Sequence, residues 1–81
     1  MEVGLKVKLK TFNGDSDAPE KCNPSENYWA LIGKTGTIVK PENDRSRVLM
    51  QFDDQVSDFG LHCHNDIPNS LLILTSDVEV I

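Results

Sequence analysis

Residues 3–12 read V-G-L-K-V-K-L-K-T-F, an alternation of apolar and polar side chains with a period of two that runs through Lys10. Val3, Leu5, Val7 and Leu9 fall on one side of an extended chain, and Gly4, Lys6, Lys8 and Lys10 on the other. A half-buried β-strand has that spacing, whereas a helix would spread the four apolar residues around its circumference. No stretch of the 81 residues sustains the apolar period of a helix. The chain must therefore be built from strands and turns.

The remaining segments fit that rule. Residues 13–27, N-G-D-S-D-A-P-E-K-C-N-P-S-E-N, are almost devoid of apolar side chains and read as one long polar loop. Residues 28–32, Y-W-A-L-I, return the chain to apolar packing and hold the only Trp and the only Tyr. Residues 37–40 are a short β-branched strand, 41–46 a polar hairpin loop, and 47–52 a further strand with Val48, Met50 and Phe52 on one face. Residues 55–60 read as a polar turn, 61–64 as a short strand, and 65–69 as a turn around Pro68. Residues 71–74 form a strand, 75–77 a tight turn or a single 3₁₀ turn, and 78–81 a last strand with Val78 and Val80 facing inward. Five or six short strands in one small domain, residues 1–81, predict an all-β fold, a small and partly open barrel with a long loop after its first strand. The last strand is expected to pair with the first, because closure hides exposed edges.

The charge pattern narrows the function. The chain carries a net charge of −5, with 13 acids against eight lysines and arginines. Residues 13–27 hold four acids and one lysine, and residues 53–81 hold six acids with no lysine or arginine. Nucleic-acid binders usually show a basic excess, because phosphate contacts dominate their affinity. No apolar run approaches the roughly 20 residues of a membrane span, so no membrane role is expected. Without a secretory signal, Cys22 and Cys63 are expected to be free thiols and the location cytoplasmic.

A resemblance emerges at the glycines. Residues 4–9, G-L-K-V-K-L, resemble the G-D-x-V-x-V opening of many SH3-like barrels, and residues 33–39, G-K-T-G-T-I-V, look like the G-K-x-G-x-V centre of a KOW-type motif. Residues 28–39 are similar to the aromatic-then-G-K-x-G-x-V stretch of the superfamily named after electron-transport accessory proteins. Its members include the small E subunit of photosystem I, the variable chain of ferredoxin–thioredoxin reductase and the β-subunit of nitrile hydratase. Gln51, Phe52 and Asp53 stand near the V-x-F-D of those proteins, and the likeness covers residues 4–9 and 28–53. It implies an SH3-like barrel and an accessory role, docking onto a larger protein without catalysis. The chain departs from the nucleic-acid-binding members in its acidity and in the length of its 13–27 loop. The fold-level reason for Gly33 and Gly36 is positive φ and a tight turn in a closed barrel.

Candidate chemistry is sparse. Gly33, Lys34 and Thr35 lack the glycine five residues earlier that a phosphate-binding P-loop requires; Tyr28 stands there. Asp15 and Asp17 have the first spacing of a calcium loop, but its sixth and twelfth positions hold Glu20 and Glu26. If residues 61–64 are extended, His62 and His64 project to one face, a pair suited to zinc or nickel, with Asp66, Cys22 or Asp58 as further ligands. In that geometry Cys63 points away from both imidazoles, which argues against a Cys–His nucleophile. Tyr28 and Trp29 carry the richest alternative: either both rings fill the barrel core, or, since adjacent residues in extended chain point opposite ways, one lies in the core and one on the surface as a binding platform.

Three readings follow. In the first, a non-enzymatic binding module docks onto a protein partner through Tyr28, Trp29, Asp15, Asp17 and Asp58, with no cofactor. The second is a nucleic-acid or ribosome-associated KOW-like domain that touches phosphates with Lys34, Lys40, Arg45, Arg47 and the lysines of the first strand. The third is a small metal-binding protein that uses His62, His64, Asp66 and Cys22.

Overall fold

The computed structural model describes residues 1–63 and 65–81. Five antiparallel strands form one sheet: β1 (Lys6–Leu9), β2 (Thr35–Lys40), β3 (Arg47–Phe52), β4 (Ser70–Leu74) and β5 (Val78–Val80). Their order across the sheet is β4-β3-β2-β1-β5. The first strand pairs with the last, Val7 opposite Val80 and Leu9 opposite Val78. The sheet's outer strands, β4 and β5, are not paired with each other, so the sheet curls without closing, as a partly open barrel does. The segment joining them is a single 3₁₀ turn, Thr75–Asp77. No helix among the described residues is long and apolar enough to cross a membrane.

The alternation of the first strand explains the core. Val7 and Leu9 are fully buried, and they meet Ile38 of β2, Val48, Met50 and Phe52 of β3, and Leu71 and Ile73 of β4. The expectation for Val48, Met50 and Phe52 therefore holds. The strand is shorter than the alternation, however. Gly4 takes a φ of 96°, which bends the chain before β1, and Val3 is 60% exposed. Val80 also departs from expectation: β5 is a three-residue strand at the sheet's edge, and past Val78 it outruns the core, leaving Val80 57% exposed. Residues 61–63 form no strand but pass as irregular chain, because Leu61 is buried against the core while the backbone N–H of His62 turns to the carbonyl of Ser25. The polar turn at 55–60 contains a 3₁₀ turn, Val56–Phe59, whose Val56 is buried.

The two glycines of the G-K-T-G segment serve different needs. Gly33 has a φ of 91°, in the region that favours glycine, and its N–H donates to the carbonyl of Leu9 at 2.7 Å. Gly36 has no positive φ. It lies within β2 between Val7 and Phe52, and a Cβ there would collide with the backbone carbonyl of Gln51. The expected left-handed turn thus applies to Gly33, while Gly36 is needed for close approach of β3.

Candidate docking site

The long loop leaves β1 and returns to it. Its departure is held by Asp77, a fully buried carboxylate in the turn between β4 and β5. Asp77 Oδ1 accepts from Thr11 Oγ1 at 2.7 Å and from the N–H of Gly14 at 3.0 Å, and Oδ2 accepts from the N–H of Asn13 at 2.9 Å. Asn13 and Gly14 both have positive φ, 51° and 83°, and they form a tight reversal in which Phe12 and Asp15 exchange backbone hydrogen bonds. The next anchor is Asn23, whose Oδ1 accepts from the N–H and hydroxyl of Ser25 and caps the 3₁₀ turn Pro24–Glu26. The loop rejoins β1 where Leu9 N–H donates to the carbonyl of Lys34.

Residues Tyr28–Leu31 are a 3₁₀ turn, not extended chain. That overturns the alternative of one ring in and one ring out. In a 3₁₀ turn successive side chains are about 120° apart rather than opposed. Tyr28 and Trp29 are therefore both half-buried, Leu31 enters the core, and Ala30 faces out. Both rings lean on Phe12. The Tyr28 ring lies 5.5 Å from it, tilted by 41°, and the Trp29 ring 4.9 Å away, edge-on at 74°. The Tyr28 hydroxyl donates to the carbonyl of His62 at 2.7 Å, which fixes the ring against the 61–63 segment. Burial, then the neighbouring Cys63 and Glu26, raises the Tyr28 phenol above its ordinary range.

These elements enclose an open pocket of about 700 Å³. Its floor is Phe12, Tyr28 and Trp29, and its rim comes from the loop: Asn13, Pro19, Lys21, Cys22, Asn23 and Glu26. A volume in the range of several hundred Å³ with aromatic walls and a few polar groups is the usual form of a binding site. Beside it, Trp29 Nε1 and Asn27 Oδ1 are buried without a hydrogen-bond partner among the described residues. Unpaired buried groups of this kind cost about 1–3 kcal/mol each.

The sequence-derived candidates distribute unevenly over this geometry. Tyr28 and Trp29 line the pocket, and so does Cys22, a ligand in the metal reading. Asp15 and Asp17 are exposed on the same loop but do not line the pocket, and Asp58 lies in the separate turn Val56–Phe59. Phe12 stands in the sequence only as the end of the first strand segment, yet both rings of the site rest on it. Asp77 was not singled out at all; the one visible signal was an acid set between two apolar runs.

Of the phosphate-contact set, Lys40, Arg45 and Arg47 lie at the β2–β3 hairpin and Lys34 at the opposite end of β2. Lys34 precedes β2 and Lys40 ends it, roughly 20 Å apart by the rise of a strand. Lys34 is 4.0 Å from Asp54 and lies over the Phe59 ring, while Arg47 donates to the carbonyl of Leu72 and to Asn13 Oδ1. Arg45 is exposed in the hairpin loop. The first-strand lysines meet acids as well: Lys6 pairs with Asp53 and Lys8 with Glu79.

The metal reading loses its geometric premise, because His62 is not on a strand. His64 lies outside the described residues. Among the described residues, no three His, Cys, Asp or Glu side chains cluster in a way that could hold a metal ion. Both cysteines are free.

No family model, curated protein or solved structure matches the chain.

Proposed function

We propose that this protein is a small, non-enzymatic binding module that docks onto a protein partner through the pocket floored by Phe12, Tyr28 and Trp29. The observation that carries this reading is the convergence of three aromatic rings and the long loop on one concavity. Aromatic anchors in a partly desolvated pocket supply much of the binding energy of protein interfaces. The loop is not a slack tether: Asp77 and Asn23 hold its departure and its 3₁₀ turn in fixed shapes, which lowers the ordering cost of binding at both ends. The strand order β4-β3-β2-β1-β5, with a 3₁₀ turn between β4 and β5, agrees with an SH3-like barrel and supports the accessory role that the resemblance implies.

The test is affinity capture with the intact chain and with a variant lacking residues 15–24, both first shown to melt cooperatively. A partner retained by the intact chain and lost by the shortened one is expected. Capture of the same partner by both chains at equal yield rejects this surface.

A further inference from the structure

The loop around the pocket is charged in an unbalanced way. Asp15, Asp17, Glu20 and Glu26 stand against a single lysine, Lys21. None of these four carboxylates makes an ion pair among the described residues. The lysines on and beside the sheet are different, since Lys6, Lys8 and Lys34 each face an acid, Asp53, Glu79 and Asp54. Glu2, Asp44, Asp58 and Asp66 are likewise outside these ion pairs, but Glu26 is the acid that lines the pocket itself, beside Tyr28. Ring faces attract cations through their negative quadrupole, most strongly at Trp and Tyr. Aromatic walls and a carboxylate within one concavity are complementary to a long alkyl stem with a positive head.

Resting on the docking role above, we infer that the pocket takes a basic segment of the partner protein, with one arginine or lysine side chain laid against Tyr28 and Trp29 and its head toward Glu26. The loop's remaining acids steer that segment toward the pocket and face its neighbouring basic residues. Lys21 on the rim and Arg47, whose guanidinium donates to Asn13 Oδ1 at the rim, are the opposing charges and keep the attraction modest.

Trp29 is the only tryptophan, so its emission reports the pocket directly. The full chain is titrated with three peptides of equal length, one arginine-rich, one neutral and one glutamate-rich, at low and at high salt. A saturable change with the arginine-rich peptide alone, weakening with salt, is expected. Glu26→Gln should weaken it roughly twofold to fivefold. Trp29→Phe, followed by calorimetry, should weaken it roughly threefold to thirtyfold. Lys21→Gln should strengthen it. Each variant is compared only if its unfolding midpoint matches that of the wild type. A response to the neutral or acidic peptide instead rejects a basic occupant while leaving the docking site in place. Binding of the basic peptide that ignores Glu26→Gln and Trp29→Phe reveals mere charge attraction and overturns the inference, as does no binding at low salt. The partner capture with the 15–24 deletion decides the docking role independently.

Discussion

The carboxylate of Asp77 accepts the backbone N–H of Gly14 at 3.0 Å, across 63 positions of sequence. Together with its bonds to Thr11 and Asn13, this makes one buried side chain the fixed point from which the long loop departs. Asp77→Asn keeps the shape but presents an N–H₂ where one acceptor stood, and should cost about 1–3 kcal/mol. Asp77→Ala leaves two part-buried backbone N–H groups and a hydroxyl without their acceptor and empties the buried site of the carboxylate, and should cost about 2–3 kcal/mol. Urea unfolding measures both, and a shift of Trp29 emission before global unfolding would show the loop loosening first.

The two glycines of the G-K-T-G segment should separate under the same substitution. Gly33→Ala meets no neighbouring atom and suffers only its left-handed backbone, at about 1–2 kcal/mol. Gly36→Ala drives a methyl into the Gln51 backbone and must part β2 from β3, at about 2–3 kcal/mol or more. Equal midpoints for the two variants would contradict this division of roles.

The parts of this fold that could be read in the sequence are those whose cause is local. Val7 and Leu9 announce their strand by alternation, Val48, Met50 and Phe52 do the same, and edge-hiding alone suggests that the last strand lies beside the first. The turn Tyr28–Leu31 was hidden because five apolar residues carry no period long enough to separate a strand from a 3₁₀ turn. Phe12 and Asp77 were hidden for a different reason: their partners are distant along the chain, and nothing adjacent marks them. Residues 61–63 misled because an extended reading had no competing local signal, whereas the hydrogen bond from His62 to Ser25 that diverts them is long-range.

Tyr28 gives an alkaline signature. Its phenol is held above the ordinary value of 10.0, chiefly by burial. The fold therefore favours the neutral form, so this contribution is fully present below the ordinary phenol range and is lost as pH rises through the raised value. As the only tyrosine, it can be followed by its phenolate absorbance alone. Its midpoint is expected above that of the urea-unfolded chain, and Tyr28→Phe should flatten the loss of stability at high pH.

Cys63 packs against the core, and burial pushes its thiol up, offset in part by a hydrogen bond from the Ser70 backbone. Only the thiolate attacks an alkylating agent. At neutral pH the folded chain should therefore label at Cys63 with iodoacetamide more slowly than the unfolded chain, read peptide by peptide in a mass spectrometer. Equal rates in the two states would show that the thiol is not held in the core.

The unpaired rims of the sheet have a consequence of their own. By the alternation of antiparallel bonding, Ser70 and Leu72 of β4 turn their carbonyls away from β3. Asn65 Nδ2 occupies the first at 2.9 Å and Arg47 Nη1 the second at 3.4 Å, while the other rim, β5, offers only three residues. A stray strand from another copy would have to strip those side chains away before it could add to the ladder, which guards the chain against growth into fibres. Because the same guanidinium also reaches Asn13, losing Arg47 would at one stroke bare the rim and unseat the start of the loop.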